Sequence, residues 1–216
     1  MNNMPDKLVR VAENLARNNM QVIYAADRAQ ALQAVKSLLQ PGNTIGLGGS
    51  VTLQECGITE LVRNPEYRLI DRYQPGMTPE QMEAKFAEAL TADVFLCSTN
   101  AITEDGALYN VDGTSNRVAA MLYGPQKVIV VAGVNKIVPD LTAAVERVRT
   151  VAAPRNAQRL NKNTYCAAYG ICKTCGAPLG DGCGSPQRIC RNFVVSTKQA
   201  RKDRICVILV DETLGS

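Results

Sequence analysis

The chain contains no histidine and no tryptophan. Without an imidazole it has no histidine base, no Ser-His or Cys-His dyad, and no zinc site with a ring-nitrogen ligand. Aromatic side chains are scarce as well, with seven Tyr and three Phe in 216 residues. Within the basic part of the chain only Tyr165, Tyr169 and Phe193 are available to stack on bases, so nucleic acid is an unlikely partner. No apolar run approaches the roughly 18 residues that a membrane-spanning helix needs. Met1–Arg10 carries Asp6, Lys7 and Arg10 and no apolar core, so no signal peptide is expected. The expected compartment is the reducing cytoplasm.

Cysteine, by contrast, is abundant, and in a reduced compartment eight of them point to metal or redox chemistry more than to disulfides. Charge is unevenly placed. The net +4 conceals a segment, 154–204, with ten Lys/Arg against Asp181 and Asp203, while the remainder holds fourteen against eighteen acids. All five clustered cysteines lie in the basic part.

Apolar spacing gives the element order. Met4, Leu8, Val11 and Leu15 mark a helix that Asn18-Asn19 ends; Gln21–Ala25 is a short strand; Asp27 caps a helix to about Leu39. Thr44–Leu47 is a buried strand running into Gly48-Gly49-Ser50, with a helix starting near Val51. Arg68–Asp71 is a brief strand, and Thr78-Pro79-Glu80-Gln81 is a capping box opening a helix to Leu90. Val94–Ser98 is a strand. Asp105-Gly106 signals a hairpin between Ala101–Thr103 and Ala107–Val111. Val118–Tyr123 is a helix ending at Gly124-Pro125, Lys127–Ala132 a buried strand, and Pro139–Val151 a helix that Pro154 ends. The cysteine segment shows little periodicity, and Ile205–Val210 is a last apolar strand that must return to the sheet. Alternating elements with continuous apolar strands predict an α/β fold with a mainly parallel sheet flanked by helices.

In such sheets ligands sit beyond the carboxyl ends of the strands. Three loops should meet there: Gly48-Gly49-Ser50, Cys97–Asn100 and Gly133–Lys136, with the elbow Asp112–Ser115 as a fourth. Strand, glycines, serine and helix form the local pattern of an anion cradle, without a Walker lysine or the dinucleotide glycine spacing; a tight structural turn would use the same residues. Asp112, Thr114, Ser115 and Asn116 suit a helix start that either is simply capped or offers N–H groups to an anion. Lys136 would bring a positive charge to the same crevice. The candidate ligand-binding residues are Gly48, Gly49, Ser50, Asn100, Asp112, Gly113, Thr114, Ser115, Asn135 and Lys136. Glu104, beside the hairpin turn, is a candidate base or nucleophile if it faces the crevice, and a solvated turn residue if it does not. Cys56 and Cys97 read as buried structural thiols.

Cys166, Cys172, Cys175, Cys183 and Cys190 fall within 25 residues. Thiolates are soft ligands, and four of them suit tetrahedral zinc or an iron–sulfur cluster. The surrounding Lys and Arg would offset their negative charge.

Gly48-Gly49-Ser50-Val51-Thr52-Leu53, Asp105-Gly106-Ala107-Leu108, Asn110–Arg117 and Gly133-Val134-Asn135-Lys136 resemble hallmark segments of the LUD (lactate utilisation) domain family. The resemblance covers about 4–212. It implies a fold similar to ribose-5-phosphate isomerase and CoA transferases, and a link to L-lactate oxidation, in which some members belong to an iron–sulfur-containing system. Related short members carry Thr-Pro-Cys, Cys-x2-Cys and Ser-Pro-x-Arg-x-Cys. Cys166, Cys172, Ser185-Pro186-Gln187-Arg188 and Cys190 match these, Tyr165 replaces the proline, and an insertion leaves either Cys175 or Cys183 as the third ligand. The whole chain, 1–216, is then one domain, with 154–204 a basic metal-binding excursion before the last strand, 205–211. The function expected is binding of a small carboxylate or phosphate, as an enzyme or subunit of lactate-type metabolism with protein partners. The alternatives are a redox or scaffold subunit and a nucleic-acid-binding metal knuckle.

Overall fold

A computed structural model of the chain describes residues 4–216; residues 1–3 of the stretch examined for a signal peptide lie outside the described residues. Six strands form one sheet: β1 (Gln21–Ala25), β2 (Thr44–Leu47), β3 (Arg68–Leu69), β4 (Val94–Cys97), β7 (Lys127–Gly133) and β10 (Ile205–Val210), in the order β1-β10-β7-β4-β2-β3. Every pair is parallel. The last strand does return, between β1 and β7.

The unbroken apolar strands follow from this sheet being covered on both faces. Successive side chains point to opposite sides, so Leu96, Ile129 and Ile208 enter one core while Phe95, Val128 and Val207 enter another. The first core is closed by α2 (Arg28–Leu38), α3 (Val51–Glu55) and α4 (Ile58–Leu61). The second is closed by α1 (Asp6–Arg17) and α6 (Asn116–Leu122). The capping box of α5 (Pro79–Glu88) forms as expected, with Thr78 and Gln81 exchanging side-chain to backbone bonds.

A second sheet grows from the end of β4, its strands lying in the order β8 (Ile137–Val138), β5 (Ala101–Thr103), β6 (Leu108–Asp112) and β9 (Asn192–Ser196). Its hairpin joins β5 to β6 through Asp105-Gly106. Gly106 has φ +86°, and a Cβ there would lie 2.6 Å from the Asn14 backbone, so α1 packs directly on the turn. Two strands of this sheet escape the apolar pattern: β8, only two residues long, and β9, which pairs antiparallel with β6 inside the cysteine segment.

The helix expected over Pro139–Val151 needs correction at its end. Pro154 does not stop it. α7 (Leu141–Arg147) passes through a π turn, Val148–Ala152, into α8 (Ala153–Arg159), and Pro154 sits in the first turn of α8. There a missing N–H costs little. A short α9 (Tyr165–Tyr169) follows. Among the described residues no helix is long and apolar enough to cross a membrane.

Candidate functional site

The carboxyl ends of the adjacent strands β7, β4 and β2 open into a cleft of about 620 Å³. Gly49, Ser50, Asn100, Asp112, Gly113, Thr114 and Lys136 all line it, so loops far apart in sequence do meet at one rim. Gly48 lies just behind, where a Cβ would be 3.3 Å from the Arg117 side chain. Ser115 and Asn135 are not part of the lining. Ser115 takes a left-handed conformation, φ +67°, to start α6. Asn135 holds the chain end, with its Oδ1 accepting from Leu214 N at 3.1 Å. Glu104 is elsewhere: it lies on the hairpin beside α1 and pairs with Lys7 at 3.6 Å, so it does not face the crevice as a base would.

The helix starts are occupied by their own caps. Ser50 Oγ accepts from Leu53 N at 3.3 Å, and Asp112 Oδ2 accepts from Val118 N at 3.0 Å. Ser115, next to the helix, makes no side-chain cap. The positive character of the cleft therefore comes mainly from side chains rather than from unpaired main-chain donors.

Seven cationic side chains line the cleft, Arg72, Arg117, Lys136, Arg159, Lys162, Arg188 and Arg191, against one acidic side chain, Asp112. Among the described residues only Arg117 of these seven is within ion-pair distance of a carboxylate. Its guanidinium is fully engaged, donating to Asp112 Oδ1, Asn100 Oδ1, Asn110 Oδ1 and the carbonyls of Ser98 and Val111. Arg72 is the opposite case. Among the described residues its buried Nε has no hydrogen-bond partner; its Nη2 donates to the Tyr73 hydroxyl at 2.7 Å, and its guanidinium lies over the Tyr73 and Phe86 rings at 4.8 and 5.3 Å. It faces Gly49, where a Cβ would be 2.7 Å from Arg72 Nη2 and 3.8 Å from Arg159 Nη2. A glycine at this position keeps the space between two arginines open.

Lys136 forms the floor. It is 3 % exposed, and its Nζ donates to Thr52 Oγ1 and Ser98 Oγ, both at 2.9 Å. Burial, reinforced by the nearby charges of Arg147 and Arg117, lowers its pKa to about 7. Arg147 stands behind the floor, donating to the carbonyls of Asn135 and Asn100.

The cysteines divide. Cys166, Cys172, Cys183 and Cys190 line one small pocket together with Arg149, Lys173 and Arg188, while Cys175 is exposed and outside it. Among the described residues the buried hydroxyl of Tyr109, also in that lining, has no hydrogen-bond partner. Among the described residues no three Cys, Asp or Glu side chains are placed to hold a metal ion, so the four thiols share a pocket without forming a closed ligand shell. Arg188 borders both cavities, and Arg149 pins the intervening loop through the carbonyls of Ala177 and Pro178.

The family model described as LUD domain matches residues 8–210. The chain belongs to the LUD domain family. None of the curated proteins compared with it matches. Among solved structures, a DUF162 family protein from Deinococcus radiodurans is 15% identical, with a TM-score of 0.51 over 96% of this chain and 97% of that one; it supports the fold. eIF2B beta from Chaetomium thermophilum is 16% identical over 52% of this chain and 43% of its own, at a TM-score of 0.35 that carries no argument.

Three of the four LUD-like segments quoted above, 48–53, 110–117 and 133–136, run along the cleft, and the fourth forms the hairpin against α1. What escaped the sequence is the set of arginines. Arg72 sits in a segment with no periodicity. Arg188 and Arg191 looked like counter-charges for thiolates. Arg117 read as the end of a capped elbow. The available signal was the excess charge of 154–204, four of whose cations face the cleft.

Proposed function

We propose that this LUD-domain chain binds a small anionic metabolite, a carboxylate or phosphate, in the cleft at the ends of β2, β4 and β7. As its family implies, it would act as an enzyme or subunit of lactate-type metabolism. The observation that carries the reading is the charge imbalance of the cleft: among the described residues, six basic side chains without a carboxylate partner line a concave space sized for a metabolite. Gathering so many like charges around one cleft is repulsive, and an anion would offset that.

Calorimetry and thermal shift with sulfate, phosphate, lactate, pyruvate, sugar phosphates and CoA esters test this. A true ligand at about 100 times its Kd stabilises by about 2.7 kcal/mol, a Tm rise of roughly 5–10 °C for a domain of this size. If none of these binds below the millimolar range, the reading fails.

A second reading concerns the thiol pocket. We propose that it takes a metal centre, an iron–sulfur cluster or zinc, on Cys166, Cys172, Cys183 and Cys190, leaving Cys175 free. Four thiols around one pocket, three cations in the same lining and an unpartnered Tyr109 hydroxyl fit a group that brings negative charge and hydrogen-bond acceptors. The side chains would have to close around it. Metal analysis and absorption spectra of anaerobically purified full-length protein test this. Cys183→Ser should lose the metal and Cys175→Ser should keep it. Metal-free wild-type protein, or loss in Cys175→Ser with retention in Cys183→Ser, would overturn the assignment.

A further inference from the structure

Lys136 is an unusual cleft floor. Buried lysines are almost always paired with a carboxylate. This one meets two hydroxyls, Thr52 Oγ1 and Ser98 Oγ, and among the described residues no carboxylate comes within ion-pair distance. Each hydroxyl accepts from Nζ and itself donates to a backbone carbonyl at 3.5 Å: Leu214 for Thr52, Thr99 for Ser98. The neighbouring charges, Arg117 and Arg147, are held by carbonyls, amides and Asp112, so they oppose an ammonium without being free to take a ligand themselves.

Resting on the anion-binding reading above, we propose that Lys136 Nζ is a nucleophile that condenses with the carbonyl group of an anionic aldehyde or ketone bound in the cleft, forming an imine. The neutral amine donates its lone pair to the carbonyl carbon. A C–N bond forms, the C=O π electrons move to oxygen, and a proton passes from nitrogen to that oxygen to give a carbinolamine. Loss of the hydroxyl with one further proton releases one water and leaves the C=N bond. No oxidant, reductant or cofactor enters the balance. Thr52 Oγ1 and Ser98 Oγ, each 2.9 Å from Nζ, are placed to relay the protons.

Burial and the two arginines supply the neutral amine. With its pKa lowered to about 7, the side chain supplies neutral amine near neutral pH, against almost none for a solvated lysine. The anionic end of the ligand is met by Arg72 and Arg159, which flank Gly49, and by Arg188 and Arg191 in the same lining. The substrate class is thus a compound with a carbonyl at one end and a carboxylate or phosphate towards the other.

Reductive trapping tests the proposal. The full chain is incubated with succinic semialdehyde or glyceraldehyde 3-phosphate, reduced with borohydride, weighed intact and then mapped by peptide mass spectrometry. A single adduct concentrated on Lys136 is expected, with exposed lysines such as Lys7 modified at least tenfold less. Lys136→Arg should abolish it, and mapping on the wild-type chain keeps the result readable if that variant folds poorly. Thermal shift with sulfate, run on the same preparation, separates this inference from the reading beneath it. Stabilisation by sulfate without an adduct on Lys136 would overturn the imine and leave the anion cleft standing. No stabilisation and no adduct would overturn both. Adducts spread evenly over surface lysines would also overturn the imine.

Discussion

Arg117 Nη2 lies 2.8 Å from Asp112 Oδ1, and the second oxygen of the same carboxylate accepts from Val118 N, one residue beyond the arginine. One ion pair therefore closes the elbow and starts α6. Both side chains are about nine-tenths buried. Because Arg117 also reaches Ser98 and Asn100, the pair ties the end of β4 to β6 and fixes one wall of the cleft.

Removing Asp112 leaves an unpaired buried guanidinium and an uncapped helix. Asp112→Ala should cost about 3 kcal/mol, from the range for breaking buried pairs, measured as a lower urea midpoint. Arg117→Lys should not be a mild change, since an ammonium cannot span the same five acceptors. A loss under about 0.5 kcal/mol in Asp112→Ala would contradict the role given to the pair.

Much of the fold was legible because the central sheet is buried on both faces, so Val128-Ile129-Val130-Val131 could hardly be anything but an interior strand. The meeting of three loops followed from parallel strands having one carboxyl end. The failures have physical causes. Pro154 terminates helices in general, yet a π turn shifts the hydrogen-bond ladder just before it and removes the conflict. β9 is exposed or half-buried along most of its length and owes its place to pairing with β6, so it leaves little apolar signature. The elbow is a different case: its residues allowed either a capped helix start or free N–H groups, and Asp112 folds back to take the Val118 bond itself.

Gly49 separates Arg72 from Arg159, and a methyl group there would meet the ends of flexible side chains, Arg72 Nη2 at 2.7 Å and Tyr73 OH at 3.2 Å. These can swing aside. Gly49→Ala should therefore change stability by less than about 1 kcal/mol, as expected for a site without trapped backbone. Anion affinity should fall roughly tenfold, since about 1.4 kcal/mol of misplaced arginine contact is enough for that. Parallel denaturation and calorimetry would check it, and unchanged affinity would remove Gly49 from the site.

Lys136 carries a stability penalty with a defined pH window. Its folded pKa is depressed, to about 7 from an ordinary value of 10.5. Below about pH 7 both folded and unfolded chains are protonated there, and the cost of burying the ammonium is fully present. Between about 7 and 10.5 the unfolded chain binds more protons, so stability from this group rises with pH. Lys136→Met should accordingly be more stable than wild type by about 2 kcal/mol at pH 6, in line with apolar replacement of buried charge. The advantage should shrink towards pH 10. A destabilised Lys136→Met at pH 6 would show that the lysine serves the fold rather than the ligand.

The same titration should govern anion affinity, and sulfate is the right probe because it stays a dianion across the range. Below pH 7 the ammonium of Lys136 is already formed and adds to the arginines. Above it, binding sulfate must draw a proton onto Nζ against burial and against Arg147 and Arg117, with Glu55 favouring the charged form and the Cys56 thiol, pushed up to about 11 by burial, neutral across this range. Affinity should therefore fall between pH 6 and pH 8.5, by up to about tenfold for each unit above the free-state pKa until the liganded pKa is reached. Calorimetry in two buffers of different ionisation enthalpy should show proton uptake at pH 8.5 and little at pH 6. In Lys136→Gln the pH dependence should flatten while the arginines still hold the ion weakly. A slope that survives in that variant would assign the titration to another group.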